Sequence, residues 1–270
     1  MRGSSSRRQG RLQRSLAVLA AATLLATGVA LGQCIQPPAG MVAWWPGDGT
    51  TADLAGSNTG TWNGAAAYTA GEVGLAFSFG GASWVQAPST AALSPTAALT
   101  IDAWIAPQAT TSSRIVDKIT AGGQDGYLLD VLNNSLRLII GGQALQGATT
   151  LQPGVTYHVA GTFDGATLTV YVNGAVDGSA GAIGTLPANA LPLRIGADQT
   201  GANTFNGWID EVEVFNRALS PQEILAIHNA FAAGKCKQRS IPATSGLSLL
   251  VLVLLIAAAT ILLRREPTRG

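Results

Sequence analysis

The chain is poor in the residues on which metal and nucleophilic chemistry depend. It has two cysteines and two histidines among 270 residues. Neither His158 nor His228 lies in an HExxH motif, a His-x-His pair or a cysteine cluster, which argues against a zinc site. A Gly-x-Ser-x-Gly elbow is also missing, so the sequence gives Ser-His-Asp catalysis no support.

Charge is scarce and unevenly distributed. Charged residues make up 11% of the chain, whose formal net charge is +1. Between Cys34 and Gly234, however, five basic and fourteen acidic residues give a net charge of −9. A domain this acidic is a poor binder of nucleic acid, whereas Ca²⁺ and neutral glycans are compatible with it.

Long apolar runs are confined to the two ends of the chain. Leu16–Val29 follows an arginine-rich start and has the length of a signal-peptide core. Ala30 and Gly32 suit a cut before Gln33, so we predict a signal peptide over residues 1–32. Lipidation at Cys34 is the less favoured alternative, because Gln33 is a poor residue before a lipid-carrying cysteine.

The second run, Gly246–Leu263, stops at Arg264 and Arg265. As a helix it reaches ~27 Å, close to the ~30 Å hydrocarbon core, so we predict a transmembrane helix over residues 246–263. Both basic flanks belong in the cytoplasm, which leaves residues 264–270 as a cytoplasmic tail and exports residues 33–236. The expected location is the cell envelope or cell surface, with the domain either anchored or released after sorting.

The C-terminal region resembles the IPTL-CTERM type of bacterial sorting signal. Ile241-Pro242, the nearby Ser245, one apolar helix and the terminal arginines carry the resemblance. It implies a linker and sorting motif over residues 237–245 and processing by an exosortase-like membrane protease. Ala243 and Thr244 depart from the usual Thr-Leu of the family, which weakens the prediction of cleavage more than that of anchoring.

The two cysteines stand at the edges of the exported region. A Cys34–Cys236 disulfide would close a loop of about 200 residues, worth ~5 kcal/mol in the chain-entropy model. Two free thiols or an intermolecular bridge are the alternatives for an exported chain.

The exported region is dominated by short alternating runs between turn residues, which predicts a two-sheet β-sandwich. Leu99–Ile105 and Tyr157–Phe163 alternate in this way, and Asp164-Gly165 and Asn173-Gly174 are hairpin signals. Further predicted strands are Val42–Trp45, Ala76–Phe79, Trp84–Ala87, Arg114–Lys118, Tyr127–Leu132, Leu136–Ile140, Thr167–Val172, Leu193–Ile195 and Trp208–Phe215. One helix is predicted after Ser220, where Glu223 completes a capping box, and Gly234 ends it.

Several motifs, in order, resemble the laminin G-like, concanavalin A-like jelly-roll family of bacterial exported proteins. They are Met41–Gly49, Gly74–Phe79, Ala98–Trp104, His158–Gly165, Val170–Gly174, Arg194–Ala197 and Gly207–Ser220. The resemblance covers residues 41–230. It implies an all-β jelly-roll sandwich with one short C-terminal helix, and binding or adhesion in general terms.

Asp210 is the most informative acidic residue. Alternation in Trp208–Phe215 places it on the face of Val212 and Val214, where a carboxylate is costly unless it is paired or bound to a cation. Similar jelly rolls hold a structural Ca²⁺ here, which implies Asp210 as side-chain ligand. Gly80 stands where the family has a loop Asp, and its carbonyl oxygen is the second predicted ligand. A hydrogen-bonded or an exposed Asp210 are the alternatives.

Two other sets of residues suggest sugar chemistry. Glu211 and Glu213 share one strand face, but their spacing and position differ from the catalytic acids of glycosidases with this fold, so we expect a solvated pair. Trp62 and Trp104 are candidates for stacking on a sugar ring, with packing in the core as the alternative.

The sequence therefore predicts an exported, membrane-tethered, non-catalytic recognition or adhesion module that binds a glycan or a cell-surface protein. One alternative is a structural envelope or matrix protein without a specific ligand. A polysaccharide hydrolase or lyase is the other.

Overall fold

The computed structural model describes residues 34–182 and 184–237. The predicted signal peptide, transmembrane helix and cytoplasmic tail, and all but the first residue of the predicted linker, lie outside these residues. Within them, no helix is both long enough and apolar enough to cross a bilayer.

The domain is a sandwich of two antiparallel sheets. Its strands are β1 (Met41–Trp45), β2 (Thr61–Asn63), β3 (Tyr68–Ala70), β4 (Leu75–Gly80), β5 (Trp84–Ala87), β6 (Leu99–Pro107), β7 (Ser112–Lys118), β8 (Tyr127–Leu132), β9 (Ser135–Ile140), β10 (Gln143–Gln146), β11 (Tyr157–Phe163), β12 (Thr167–Val172), β13 (Ala175–Gly181), β14 (Leu193–Ile195) and β15 (Asn206–Phe215). The eight-stranded sheet has the order β13-β12-β11-β6-β15-β4-β3, with β1 also paired to β15. The seven-stranded sheet has the order β10-β9-β8-β7-β14-β5-β2. The all-β jelly-roll prediction is confirmed.

The core lies between the two sheets, and alternation along each strand fills it. In β6, Leu99, Ile101, Ala103 and Ile105 all point into the core, as the sequence predicts. The residues between them point away from the core and are nevertheless buried, since further structure covers the outer face of this sheet.

The two predicted hairpins form by different turns. Between β12 and β13, Asn173 and Gly174 have φ values of 52° and 78°, the left-handed pair that a type I′ turn needs. Between β11 and β12 the loop has a third residue, and the Asp164 carboxylate accepts hydrogen bonds from the backbone N–H groups of Ala166 (2.9 Å) and Thr167 (2.7 Å). The side chain of Asp164, rather than a two-residue turn, closes this loop.

Helix α1 (Pro221–Ala230) covers the outer face of the eight-stranded sheet. Ser220 and Glu223 form the predicted capping box, and a 3-10 turn (Phe231–Ala233) follows the helix before Gly234. A second apolar cluster lies under the helix and consists of Ala160, Tyr171, Phe215, Leu219, Ile224 and Ile227.

Strand β15 departs from simple alternation. Its register against β6 shifts between Asp210 and Glu213, and Glu211 has a φ of 51°. This bulge brings Ile209 into the core beside Val212 and Val214, so the predicted position of Asp210 on their face is wrong. A bulge depends on the neighbouring strand, which is why alternation along one strand does not reveal it.

The disulfide prediction is confirmed, since both Cys34 and Cys236 are disulfide-bonded and no described cysteine is free.

Candidate functional site

The outer face of the seven-stranded sheet carries a continuous band of polar side chains. In β5 and β14 the neighbouring Val85, Leu193 and Ile195 point into the core, so the residues between them point outward. We call this band the arginine face; it consists of Trp84, Gln86, Arg114, Asp117, Asp130, Arg137 and Arg194.

The first row of the arginine face crosses β5, β14 and β7. Arg194 lies opposite Gln86 on one side and Asp117 on the other. Its Nε donates to Oε1 of Gln86 at 3.1 Å, and its Nη1 donates to the carbonyl oxygen of Asp198 at 2.6 Å. The guanidinium lies 5.1 Å from the ring centre of Trp84, within the range of a cation–π contact. The indole and the guanidinium therefore hold each other in place.

The second row crosses β7, β8 and β9. Asp130 lies opposite Arg114 and Arg137 and bonds to both guanidinium groups. Arg137 binds it with two hydrogen bonds, from Nε at 3.0 Å and from Nη2 at 2.6 Å. The Asp130 side chain is 0% exposed, against 13% for Arg114 and 18% for Arg137. The carboxylate thus lies at the base of the face with the two arginines above it.

Arg114 links the two rows, because its Nε donates to Oδ2 of Asp117 at 3.2 Å. A register shift in β7 between Arg114 and Val116 makes this possible. Ile115 and Val116 both pack in the core, so Arg114 and Asp117 share the outer face although they are three residues apart.

The electrostatic balance of the face rests on Asp117. Burial raises the pKa of its carboxyl group to about 6, against an opposing hydrogen bond from Gln199 and the charge of Arg114. The Nε2 of Gln199 donates to Oδ1 of Asp117 at 3.0 Å. At neutral pH the face therefore carries three arginines against two carboxylates.

Each of the three guanidinium groups keeps one terminal nitrogen that bonds to no other residue in the described part of the chain. These atoms are Nη2 of Arg114, Nη1 of Arg137 and Nη2 of Arg194. A guanidinium has five N–H donors, and two of its nitrogens are used here for orientation. The third is available to a ligand.

The sequence did not identify the arginine face, although a signal was present. Arg137 and Arg194 each stand between two apolar strand residues, and three of the five basic residues between Cys34 and Gly234 belong to this face. The sequence does not reveal the strand order and register that place these residues side by side.

The two predicted sugar-stacking residues lie elsewhere and apart from each other. Trp62, on β2, is half-buried against Phe77 and Phe79, with ring centres 5.7 and 5.3 Å away. Trp104, on β6, is 4% exposed and stacks on His228 at 5.6 Å. Their roles in ligand binding stay predictions, and neither ring belongs to the arginine face.

Asp210 and Gly80, the predicted calcium ligands, are not brought together. Asn206 pairs with Gly80, and Asp210 lies four residues further along β15, ~13 Å away at ~3.3 Å per residue. The Asp210 carboxylate is fully buried and accepts a hydrogen bond from the backbone N–H of Val73 at 2.9 Å. Calcium binding at Asp210 and Gly80 stays a prediction. Across residues 34–182 and 184–237, no three His, Cys, Asp or Glu residues form a group suited to a metal ion.

Glu211 and Glu213 are 0% exposed, so the expectation of a solvated pair is wrong. Both carboxylates lie against the buried Lys235, whose Nζ is 3.6 Å from Oε2 of Glu211 and forms an ion pair with Glu213. Glu211 also accepts a hydrogen bond from Nε1 of Trp44 at 3.0 Å. Lys235 comes from the segment after α1, which a strand pattern cannot anticipate.

Charge in this buried cluster is partly compensated. Asp102 lies nearby, 3.1 Å from Nε2 of His158. Burial lowers the pKa of the Lys235 amine, but Glu213, Glu211 and Asp102 outweigh it and raise that pKa overall. Burial raises the pKa of Glu213, against the charge of Lys235. One ammonium group cannot balance three buried carboxylates, and burial favours the protonated form of Glu213.

Several solved structures have the same fold as this domain. Domain 4 of AbnA, a GH43 extracellular arabinanase from Geobacillus stearothermophilus in complex with arabinotriose, is 21% identical with a TM-score of 0.56, and the match covers 69% of this chain and 97% of that domain. The binding domain of Paraclostridial Mosquitocidal Protein 1 is 15% identical with a TM-score of 0.58, over 71% of this chain and 52% of that one.

The binding domain of Botulinum neurotoxin DC, in complex with rat synaptotagmin II, is 13% identical with a TM-score of 0.57, over 71% of this chain and 51% of that one. The chain thus spans about half the length of the toxin binding domains it matches. At these identities the likeness shows a shared fold. A laminin G-like family model described as "Concanavalin A-like lectin/glucanases superfamily" matches residues 79–225, more than half of the chain. The chain belongs to the concanavalin A-like lectin/glucanase superfamily.

Proposed function

We propose that the domain is a non-catalytic glycan-binding module and that its ligand lies on the arginine face. The observation that carries this proposal is the band itself: an indole, an amide, three guanidinium groups and two carboxylates ordered across five adjacent strands. Sugars are bound by such fixed planar polar groups together with an aromatic ring.

Rigidity supports the proposal. The side chains of the face are already held by one another, for example Arg194 by Gln86, Asp198 and Trp84. A ligand therefore does not have to order them, which lowers the entropic cost of binding. The opposite sheet offers less, because α1 and the segment after it cover its outer face around β6 and β15.

The similar structures support the same class of function. They include an arabinanase domain in complex with arabinotriose and the binding domain of a botulinum neurotoxin in complex with SialylT. A neurotoxin binding domain of this fold is also in complex with a protein, synaptotagmin II, so a cell-surface protein is the alternative ligand.

A hydrolase or lyase has less support. The one carboxylate pair that resembled a catalytic set in the sequence, Glu211 and Glu213, is buried against Lys235, where a polysaccharide has no access. Incubation with arabinan, xylan and pectin is expected to release no reducing ends or unsaturated products. Turnover that is lost in Glu211→Gln or Glu213→Gln would contradict a non-catalytic role.

A glycan array with the purified domain tests the proposal. We expect binding that is lost in Trp84→Ala and retained in Arg217→Ala, a variant with its change beside α1 and outside the face. Circular dichroism and thermal unfolding establish that both variants are folded. A structural protein without a ligand would bind nothing on the array, and unchanged binding in Trp84→Ala would move the site elsewhere.

The proposed location is the cell envelope, with the domain exported and tethered. Support comes from the apolar runs at residues 16–29 and 246–263 and from their basic flanks. A phosphatase reporter fused after residue 236 is expected to be active outside the cytoplasm. The mass of the mature protein from cells reports both the signal cut and whether an exosortase-like protease removes the tail.

A further inference from the structure

We infer that the arginine face selects carboxylate-bearing saccharides, such as those with uronic or nonulosonic acids, over neutral ones. This inference rests on the glycan-binding function proposed above and adds the ligand class to it. The observations behind it are the number of guanidinium groups on the face, their unused donors and their position in an otherwise acidic domain.

Cationic groups on this face exceed the carboxylates that they contact. Asp130 is shared by Arg114 and Arg137, and Asp117 contacts Arg114. Arg194 contacts neutral oxygens and an indole, and no carboxylate forms an ion pair with it within the described residues. In the described part of the chain, Arg194 is therefore the one arginine of the face that no carboxylate bonds, although Asp117 lies opposite it and Asp198 is bound through its carbonyl oxygen.

The rest of the domain is mostly acidic, so an excess of guanidinium groups over carboxylate partners on one face is unusual. Between Cys34 and Gly234 the net charge is −9, and three of the five basic residues lie on this one face. The negative net charge of the domain repels polyanions at long range, so it does not attract them in general. An anionic ligand would have to be held locally, by groups within contact distance.

The geometry of Asp130 shows how this face holds a carboxylate. Arg137 binds it through Nε and Nη2, and Arg114 adds a third contact. Guanidinium groups favour this two-bond arrangement with carboxylates, and charge-assisted bonds are stronger than those between neutral groups. The unused Nη atoms of Arg114, Arg137 and Arg194 offer donors of the same kind on the ligand side.

Calorimetric titration with matched probes tests the inference. Trigalacturonate is compared with galactotriose, and 3′-sialyllactose with lactose. We expect each acidic sugar to bind at least about tenfold more tightly than its neutral counterpart, because a charge-assisted contact replaces a neutral one. In Arg194→Gln this preference should disappear, whereas Arg217→Gln, an arginine change outside the face, should retain it.

Arg194→Lys keeps the charge and loses the planar fork, so an intermediate preference is expected. Equal affinity for acidic and neutral sugars would overturn the inference and leave glycan binding intact. An acidic preference that persists in a folded Arg194→Gln would also overturn it. Failure of every sugar to bind would overturn the proposed function and the inference together.

Discussion

The Asp117 carboxyl group, on the arginine face, titrates within the pH range where proteins are commonly handled. Burial raises its native pKa to about 6, from 3.8 in the unfolded chain. The protonated form therefore favours the native state. This contribution is complete below pH 3.8 and is lost as the pH rises to about 6.

Asp117→Asn should remove this titration. The free energy of unfolding of the wild type, relative to that of the variant, is expected to fall by ~2 kcal/mol between about pH 4 and pH 7. Urea unfolding of both proteins at the two pH values measures the difference. Parallel stability profiles across this range would show that burial does not control the Asp117 carboxyl group.

Lys235 illustrates the cost of a buried charge. Lys235→Met leaves Glu211 and Glu213 without their ammonium partner, so a loss of ~3–5 kcal/mol is expected. The control is Arg217→Met. Arg217 and its partner Glu223 are each 34% exposed, so this variant should lose about 1 kcal/mol of unfolding free energy or less. Urea unfolding of both variants at neutral pH gives the comparison. Equal losses would mean that the buried pair contributes no more than the exposed one.

At the scale of elements, α1 depends on its N-terminal cap. The Ser220 hydroxyl accepts a hydrogen bond from the backbone N–H of Glu223 at 3.3 Å, and the Glu223 carboxylate accepts one from the backbone N–H of Ser220 at 2.9 Å. Ser220→Ala should cost ~1 kcal/mol of unfolding free energy, whereas Ser220→Asp retains an acceptor and should cost less. Thermal unfolding of the two variants measures these losses. Equal losses of unfolding free energy in both would rule out a capping role for Ser220.

The elements that the sequence predicted are those set by local chemistry. Tyr157–Phe163 alternates cleanly and forms β11 with those bounds, and the Asn173-Gly174 turn needs no distant partner. Strands β2, β3 and β10 were missed, because they are short and their residues have no strong alternation.

The parts that the sequence did not predict depend on contacts between distant elements. The bulge at Glu211 exists only against β6, and the burial of Glu213 requires Lys235 from beyond α1. The arginine face needs the order β9-β8-β7-β14-β5 and the register of its pairs. Alternation along one strand indicates that Arg194 points outward, but it does not place Asp117 beside it.

At the scale of the whole molecule, the two sheets have different outer faces. That of the eight-stranded sheet is covered by α1 and the following segment, with aromatic contacts such as Trp104 with His228. That of the seven-stranded sheet bears the arginine face. This division explains why a single domain can bury an ion-pair cluster on one side and present ordered polar groups on the other.

Calcium binding is a property of the whole domain that remains a prediction. The prediction for Asp210 requires that a chelator lower the melting temperature of the wild-type protein and that added Ca²⁺ restore it. Asp210→Asn should then melt at the same temperature with and without chelator. An unchanged melting temperature of the wild type in chelator would remove the calcium prediction.

The disulfide should make the largest single contribution to the stability of the fold. The chain has two cysteines, both disulfide-bonded and about 200 residues apart. Restricting the unfolded chain in this way is worth ~5 kcal/mol in the chain-entropy model, comparable to the whole stability of many domains. Reduction, or the double substitution Cys34→Ser and Cys236→Ser, is therefore expected to lower the melting temperature markedly.

The double variant also supplies the control for this experiment. A reducing agent should destabilise the wild type and leave the variant unchanged, because the variant has no bond to lose. Electrophoresis without reductant should show a monomer with faster migration than the reduced chain, since an intramolecular bond keeps the unfolded chain compact. A dimer on that gel, or equal melting temperatures of oxidised and reduced wild type, would contradict a stabilising intramolecular bond.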